Sequence, residues 1–181
     1  MKVSTLEAVA RALASNDVAY LVAGGVAVNA HGHQRLTHDL DLVLQLAPEN
    51  VRRALGALGE LGYAPVLPVA AQAFADPERR KEWISEKNME VFSLVSDDHR
   101  DTTIDLFVTE PFDFEEEHRR ALVSEIAAGV EMRFVRLDTL IAMKEATERA
   151  LDQDDARHLR WIAQERDQAR ASDEDEEADG D

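Results

Sequence analysis

Apolar positions near the start of the chain recur at helical spacing. Leu6, Val9, Ala10 and Leu13 share one stripe, and Ser4 with Glu7 has the form of a capping box, so a helix is predicted from Ser4 to about Ser15. Val18 to Ala23 is a short apolar run ending at Gly24-Gly25, and Val26 to about His31 predicts a short helix closed by Gly32. From Asp39 the period changes to two. Leu40, Leu42, Leu44 and Leu46 fall on one side, and Asp39, Asp41, Val43 and Gln45 on the other, which is the pattern of a strand. Pro48 then opens a helix whose buried stripe is Val51, Leu55 and Leu58 and which Gly62 ends.

The middle of the chain is less regular. Residues 64 to 88 hold Pro65, Pro68 and Pro77 and then a charged helix around Glu78 to Glu86. Glu90 to Val95 and Thr102 to Val108 read as strands joined by a polar hairpin turn, Ser96 to Asp101. Pro111 to Glu117 reads as loop and Glu131 to Val135 as a short strand. Asp138 to about Ala171 is helical, with a break expected near Asp152 to Asp155. These elements define an α/β fold: a small mixed sheet with helices packed on it and a C-terminal helical segment closing a cleft. One domain is expected over residues 1–171, with a core at 1–136 and C-terminal helices at 137–171.

Composition narrows the function. A chain of 181 residues can bury one full core. It holds no apolar stretch of about 20 residues and no signal-peptide pattern, so a soluble, cytoplasmic protein without a membrane partner is expected. With no cysteine, any metal must be held by oxygen or imidazole, which favours magnesium or manganese. The net charge is −17, and Asp173 to Asp181 contribute seven carboxylates and no base. Residues 172–181 are therefore expected to be a disordered acidic tail. The remaining acidity disfavours broad duplex binding, which depends on neutralising phosphates.

The candidate chemistry lies in three places. Asp39 and Asp41 are two apart in a strand, so their side chains leave the same face about 6.6 Å apart and can converge on hard cations. A solvated strand face is the plain alternative. Asp105 is a lone acid inside the apolar run Thr103-Ile104-Asp105-Leu106-Phe107, where an unpaired carboxylate is expensive to bury; a metal would partner it, as would an arginine such as Arg35 or Arg133. Gly24-Gly25 stands just ahead of a helix, where backbone N–H groups and the dipole suit a phosphate, although such a pair is more often a turn.

Lys144 continues the stripe of Leu137, Leu140 and Ile141. Its stem should face inward, its ammonium meeting either a nucleotide phosphate or a neighbouring acid. Asp155 follows eleven residues later, near the same angular position. Arg35 and Thr37 lead into the acidic strand and either touch phosphate or order the loop. The six histidines show no compelling ligand spacing, and Trp83 and Trp161 read as packing residues.

The run Leu21-Val22-Ala23-Gly24-Gly25, then Asp39-Leu40-Asp41-Leu42, with Asp105 on a later strand, resembles the signature of the DNA-polymerase-β nucleotidyltransferase superfamily. Leu21 to Gly32 with Arg35, Thr37 and Asp39-Leu40-Asp41 is similar to the bacterial AbiEii-type nucleotidyltransferases, which include toxins of toxin–antitoxin and phage-defence systems. The similarity resumes at Leu140-Ile141-Ala142-Met143-Lys144, Arg149, Asp152 and Asp155. Membership would imply a polymerase-β-like fold in which Asp39 and Asp41 bind two metal ions and Asp105 binds the catalytic one and helps deprotonate the acceptor. Gly24 and Gly25 would hold the triphosphate, with Arg35, Thr37, Lys144 and Asp155 around the nucleotide. Many members carry Ser where this chain has Gly25. The reaction implied is transfer of a nucleoside monophosphate from a nucleoside triphosphate to a hydroxyl of tRNA, protein or a small molecule, with a cognate antitoxin as a further partner. A noncatalytic nucleotide- or partner-binding module is the competing expectation. All of it requires Asp105 on the same side of the sheet as Asp39 and Asp41.

Overall fold

A computed structural model describes residues 1–178. In chain order the elements are α1 (Val3–Ser15), β1 (Tyr20–Val22), α2 (Gly24–His31), β2 (Asp39–Leu44), α3 (Pro48–Glu60), β3 (Ala64–Pro65), a 3-10 turn (Ala71–Ala75), α4 (Pro77–Lys87), β4 (Val91–Val95), β5 (Thr103–Phe107), α5 (Phe114–Arg119), β6 (Leu122–Ala127), β7 (Val130–Phe134), α6 (Leu137–Glu145) and α7 (Ala150–Ala178). The strands form one mixed sheet in the order β3-β4-β5-β2-β1-β7-β6. β2 pairs antiparallel with β1 and parallel with β5, while β7 runs parallel to β1.

The alternation read in β2 decides which face does what. Leu40, Leu42 and Leu44 are fully buried, as are Ile104 and Leu106 of β5. They join one core with Val9, Ala10 and Leu13 of α1 and Val51, Leu55 and Leu58 of α3. Burying each such side chain is worth roughly 1.5–3 kcal/mol, so the register of the two central strands is strongly fixed. Pro48 occupies the first turn of α3, where its missing N–H costs nothing. The β4–β5 hairpin forms as expected.

Several expectations are corrected. α1 starts one residue before Ser4 and has no side-chain cap; Glu7 instead pairs with Arg11 at 2.9 Å. Pro111 to Glu117 is not all loop, because Asp113 caps α5 by accepting a hydrogen bond from Glu116 N–H at 2.9 Å. Glu117 there is buried: it accepts hydrogen bonds from Arg136 N–H (2.6 Å), Arg136 Nε (2.9 Å) and Thr139 Oγ1 (2.8 Å), and so ties α5 to the start of α6. The strand β6 was not apparent in the sequence pattern. The break in the C-terminal helices lies at residues 146–149 rather than near Asp152 to Asp155. Thr147 makes it, donating its hydroxyl to Asp152 Oδ2 at 2.8 Å, which fastens the start of α7 to the end of α6. The backbone of α7 runs to Ala178, into the segment expected as an acidic tail. Residues 179–181 of that tail lie outside the described residues.

Candidate active site

β1 feeds directly into α2, and the join is made by Gly24 and Gly25. Gly24 has φ +57°, a left-handed conformation that side chains resist. A Cβ added there would lie 1.8 Å from Asp41 Oδ2, so the carboxylate rests against bare backbone. Gly25 is equally confined. A Cβ on it would come within 2.7 Å of Thr37 Oγ1 and 2.9 Å of Arg35 Nη2. The two glycines are therefore the first residues of α2, not a turn ahead of it, and they let Arg35, Thr37 and Asp41 close around the helix start.

The parallel pairing of β2 with β5 supplies the acids. Asp39 stands opposite Thr103 and Asp41 opposite Asp105, while Leu40 and Leu42 face Ile104 and Leu106 on the core side. Directly paired residues point to one face, so Asp39, Asp41 and Asp105 share the face away from that leucine layer. The condition on which the sequence reading depended is met.

Burial and mutual repulsion make this cluster electrostatically tense. Burial of Asp41, and then the charges of Asp105 and Asp39, push its carboxyl up to about 6, although Lys144 and the Gly25 N–H hold it back. Asp105 is also raised, by burial first and by Asp39 second, while a hydrogen bond from Ser93 opposes the rise. Asp105 Oδ1 is buried without a hydrogen-bond partner in the protein. Three carboxylates with an unsatisfied buried oxygen fit hard divalent cations such as magnesium or manganese, and the all-oxygen donor set suits them better than softer metals. Ser93, the β4 residue paired with Asp105, was missed in the sequence. Its only signal there is a single polar position between Phe92 and Leu94.

The second half of the site is an ion-pair chain between the approach to β2 and the C-terminal helices. Arg35 donates from Nη2 to Asp155 Oδ2 at 3.0 Å, and its Nε lies 2.9 Å from Oδ1. Lys144 lies 3.0 Å from Asp155 Oδ2 and is bonded to Asp152. Asp155, expected among nucleotide contacts, has no exposed surface and reaches the cleft only through these two cations. Lys144 meets neighbouring acids, the second of its two expected partners, yet it is close enough to Asp41 to stabilise that carboxylate. Thr37 donates to Asp39 O at 3.3 Å, and Asn29 anchors the loop by accepting Arg35 N–H at 2.8 Å and donating to Arg35 O at 2.9 Å.

The mixed sheet and its helices form the nucleotidyltransferase fold. No protein-family model and no curated protein matches the chain. Among solved structures it is similar to the crystal structure of ANT(2")-Ia in complex with adenylyl-2"-tobramycin, an aminoglycoside nucleotidyltransferase, with a TM-score of 0.52 and 14% sequence identity over 87% of this chain and 86% of that one. No helix among the described residues is long and apolar enough to cross a membrane.

Proposed function

We propose that the protein is a metal-dependent nucleotidyltransferase, transferring a nucleoside monophosphate from a nucleoside triphosphate to an acceptor hydroxyl. The observation that carries this reading is the register of β2 and β5, which sets Asp41 beside Asp105 at the start of α2. Asp39 and Asp41 would hold two magnesium or manganese ions and Asp105 one of them. When bound, these ions neutralise the triphosphate and lower the acceptor hydroxyl's pKa. The N–H groups of the first turn of α2 would donate to phosphate oxygens, the Gly25 N–H being shared with the Asp41 carboxylate in the metal-free chain. Asp105 takes the hydroxyl proton as the acceptor oxygen bonds to the α-phosphorus and the bond to pyrophosphate breaks. Arg35, Thr37 and Lys144 line the phosphate side, with Asp155 holding the two cations in position.

The acceptor reading favoured here is a small molecule. The structural neighbour carries an adenylylated small molecule, and a net charge of −17 repels nucleic acid. The similarity of Leu21 to Gly32 and Leu140 to Lys144 to AbiEii-type enzymes favours a second reading, with a tRNA or protein acceptor and a cognate antitoxin. Incubation with each labelled triphosphate, magnesium and cell extract separates these by where the label goes. Asp39→Ala and Asp41→Ala should each abolish magnesium-dependent pyrophosphate release, and activity surviving both would refute the assignment. The pairing of Lys144 and Arg35 with internal acids favours the noncatalytic alternative, for which nucleotide binding without turnover over the same acceptors is the signature.

A further inference from the structure

Imidazole and carboxylate groups also meet away from the aspartate cluster. His33 follows Gly32, the C-cap of α2, and its backbone N–H bonds to Val28 O at 3.2 Å, which fixes where its side chain leaves the chain. Asp154 and His158 lie one turn apart on α7. The rings of His33 and His158 stack with centroids 4.0 Å apart and planes at 8°. One donor atom from each of His33, Asp154 and His158 lies within 4.8 Å of the other two, and all three residues are partly exposed. His158 Nδ1 is 2.9 Å from Asp154 O; in the tautomer protonated there, that bond orients the ring and leaves the lone pair of Nε2 free. Arg157 holds Asp154 Oδ1 at 2.7 Å, and Oδ2 lies 3.5 Å from His158 Nδ1 as the carboxylate oxygen turned toward the rings.

We propose that His33, Asp154 and His158 bind one divalent transition-metal ion, zinc by preference, with water completing its shell. Two imidazoles and a carboxylate match zinc, nickel or copper, whereas the aspartate cluster offers only hard oxygens. The two sites therefore select different ions. Metal–ligand bonds of about 2.0–2.1 Å need donor atoms about 3.3 Å apart, so the side chains draw inward. Parallel ring planes cannot both contain one ion, so one imidazole turns about its Cβ–Cγ bond. Part-exposed side chains can make both adjustments without disturbing the core. The ion would fasten the segment carrying Arg35 and Thr37 to α7, which carries Asp152 and Asp155. The proposal is independent of whether the chain transfers nucleotides.

Zinc titration of the full chain in excess magnesium, followed by calorimetry, tests it. One equivalent should bind, and His33→Gln and His158→Gln should each weaken binding by at least about tenfold, while Asp41→Asn leaves it intact. Metal-free melting of each variant checks that it folds. Imidazole nitrogen resonances give a readout on the unaltered protein: those of His33 and His158 should shift with zinc, and those of His31, His38, His99 and His118 should not. Absence of a bound equivalent, binding that persists in the His33→Gln/His158→Gln double variant, binding lost in Asp41→Asn, or shifts confined to the other histidines would each overturn the proposal.

Discussion

At the scale of single residues the site is governed by contact with backbone that has no side chain. Gly24→Ala must accommodate both φ +57° and a Cβ that would lie 1.8 Å from the Asp41 carboxylate. The conformation alone costs roughly 1–2 kcal/mol, and moving Asp41 adds to it, so a fall in melting temperature together with loss of pyrophosphate release is expected. Asp41→Asn should behave differently. It removes the charge that burial and Asp105 disfavour, so the metal-free protein should melt at or above the wild-type temperature while magnesium no longer raises it; a lower metal-free melting temperature would count against the repulsion. The shared face of Asp39, Asp41 and Asp105 and the place of the two glycines at a helix start were legible because alternation and a strand-to-helix join are local patterns. Ser93 was not, because a lone serine in a strand gives no sign of which acid it faces.

At the scale of elements, the C-terminal helices are held by charge as much as by apolar contact. Lys144→Met would leave Asp152 buried with only Thr147 as partner and Asp155 with only Arg35. Breaking such a pair costs about 3–5 kcal/mol, and urea denaturation should record a loss near the lower end. Adding Asp152→Asn should recover part of it, because the stranded charge is gone. This pairing also explains why the helix break was misplaced. The stop at residues 146–149 is marked by the side-chain bond from Thr147 to Asp152, whereas the sequence pattern offers only the acidic cluster Asp152 to Asp155. α5 was hidden for a similar reason: Glu117 looks like one more acid in a charged run, and its value as a buried clamp on Arg136 exists only once the chain is folded.

For the whole molecule, pH and metal act through the same carboxylates. Asp41 holds its proton up to about pH 6 in the folded chain, against an ordinary value of 3.8. Between those values the folded state binds a proton the unfolded state has released, so this group's penalty is absent below the lower value, develops as pH rises and is complete above the upper one. It amounts to at most about 3 kcal/mol. Metal-free wild type should therefore lose stability relative to Asp41→Asn between about pH 4 and about pH 7, and saturating magnesium should close the gap at the upper end. Parallel thermal melts across that range are the check. Removal of residues 172–181 should leave transfer activity unchanged.

The alternation in β2 and β5 ties the acidic face of the candidate site to the packing of the core. One residue inserted in either strand would drive aspartates into the leucine layer and leucines onto the polar face. The two central strands therefore have to keep step, and so does β4, whose Ser93 stands opposite Asp105.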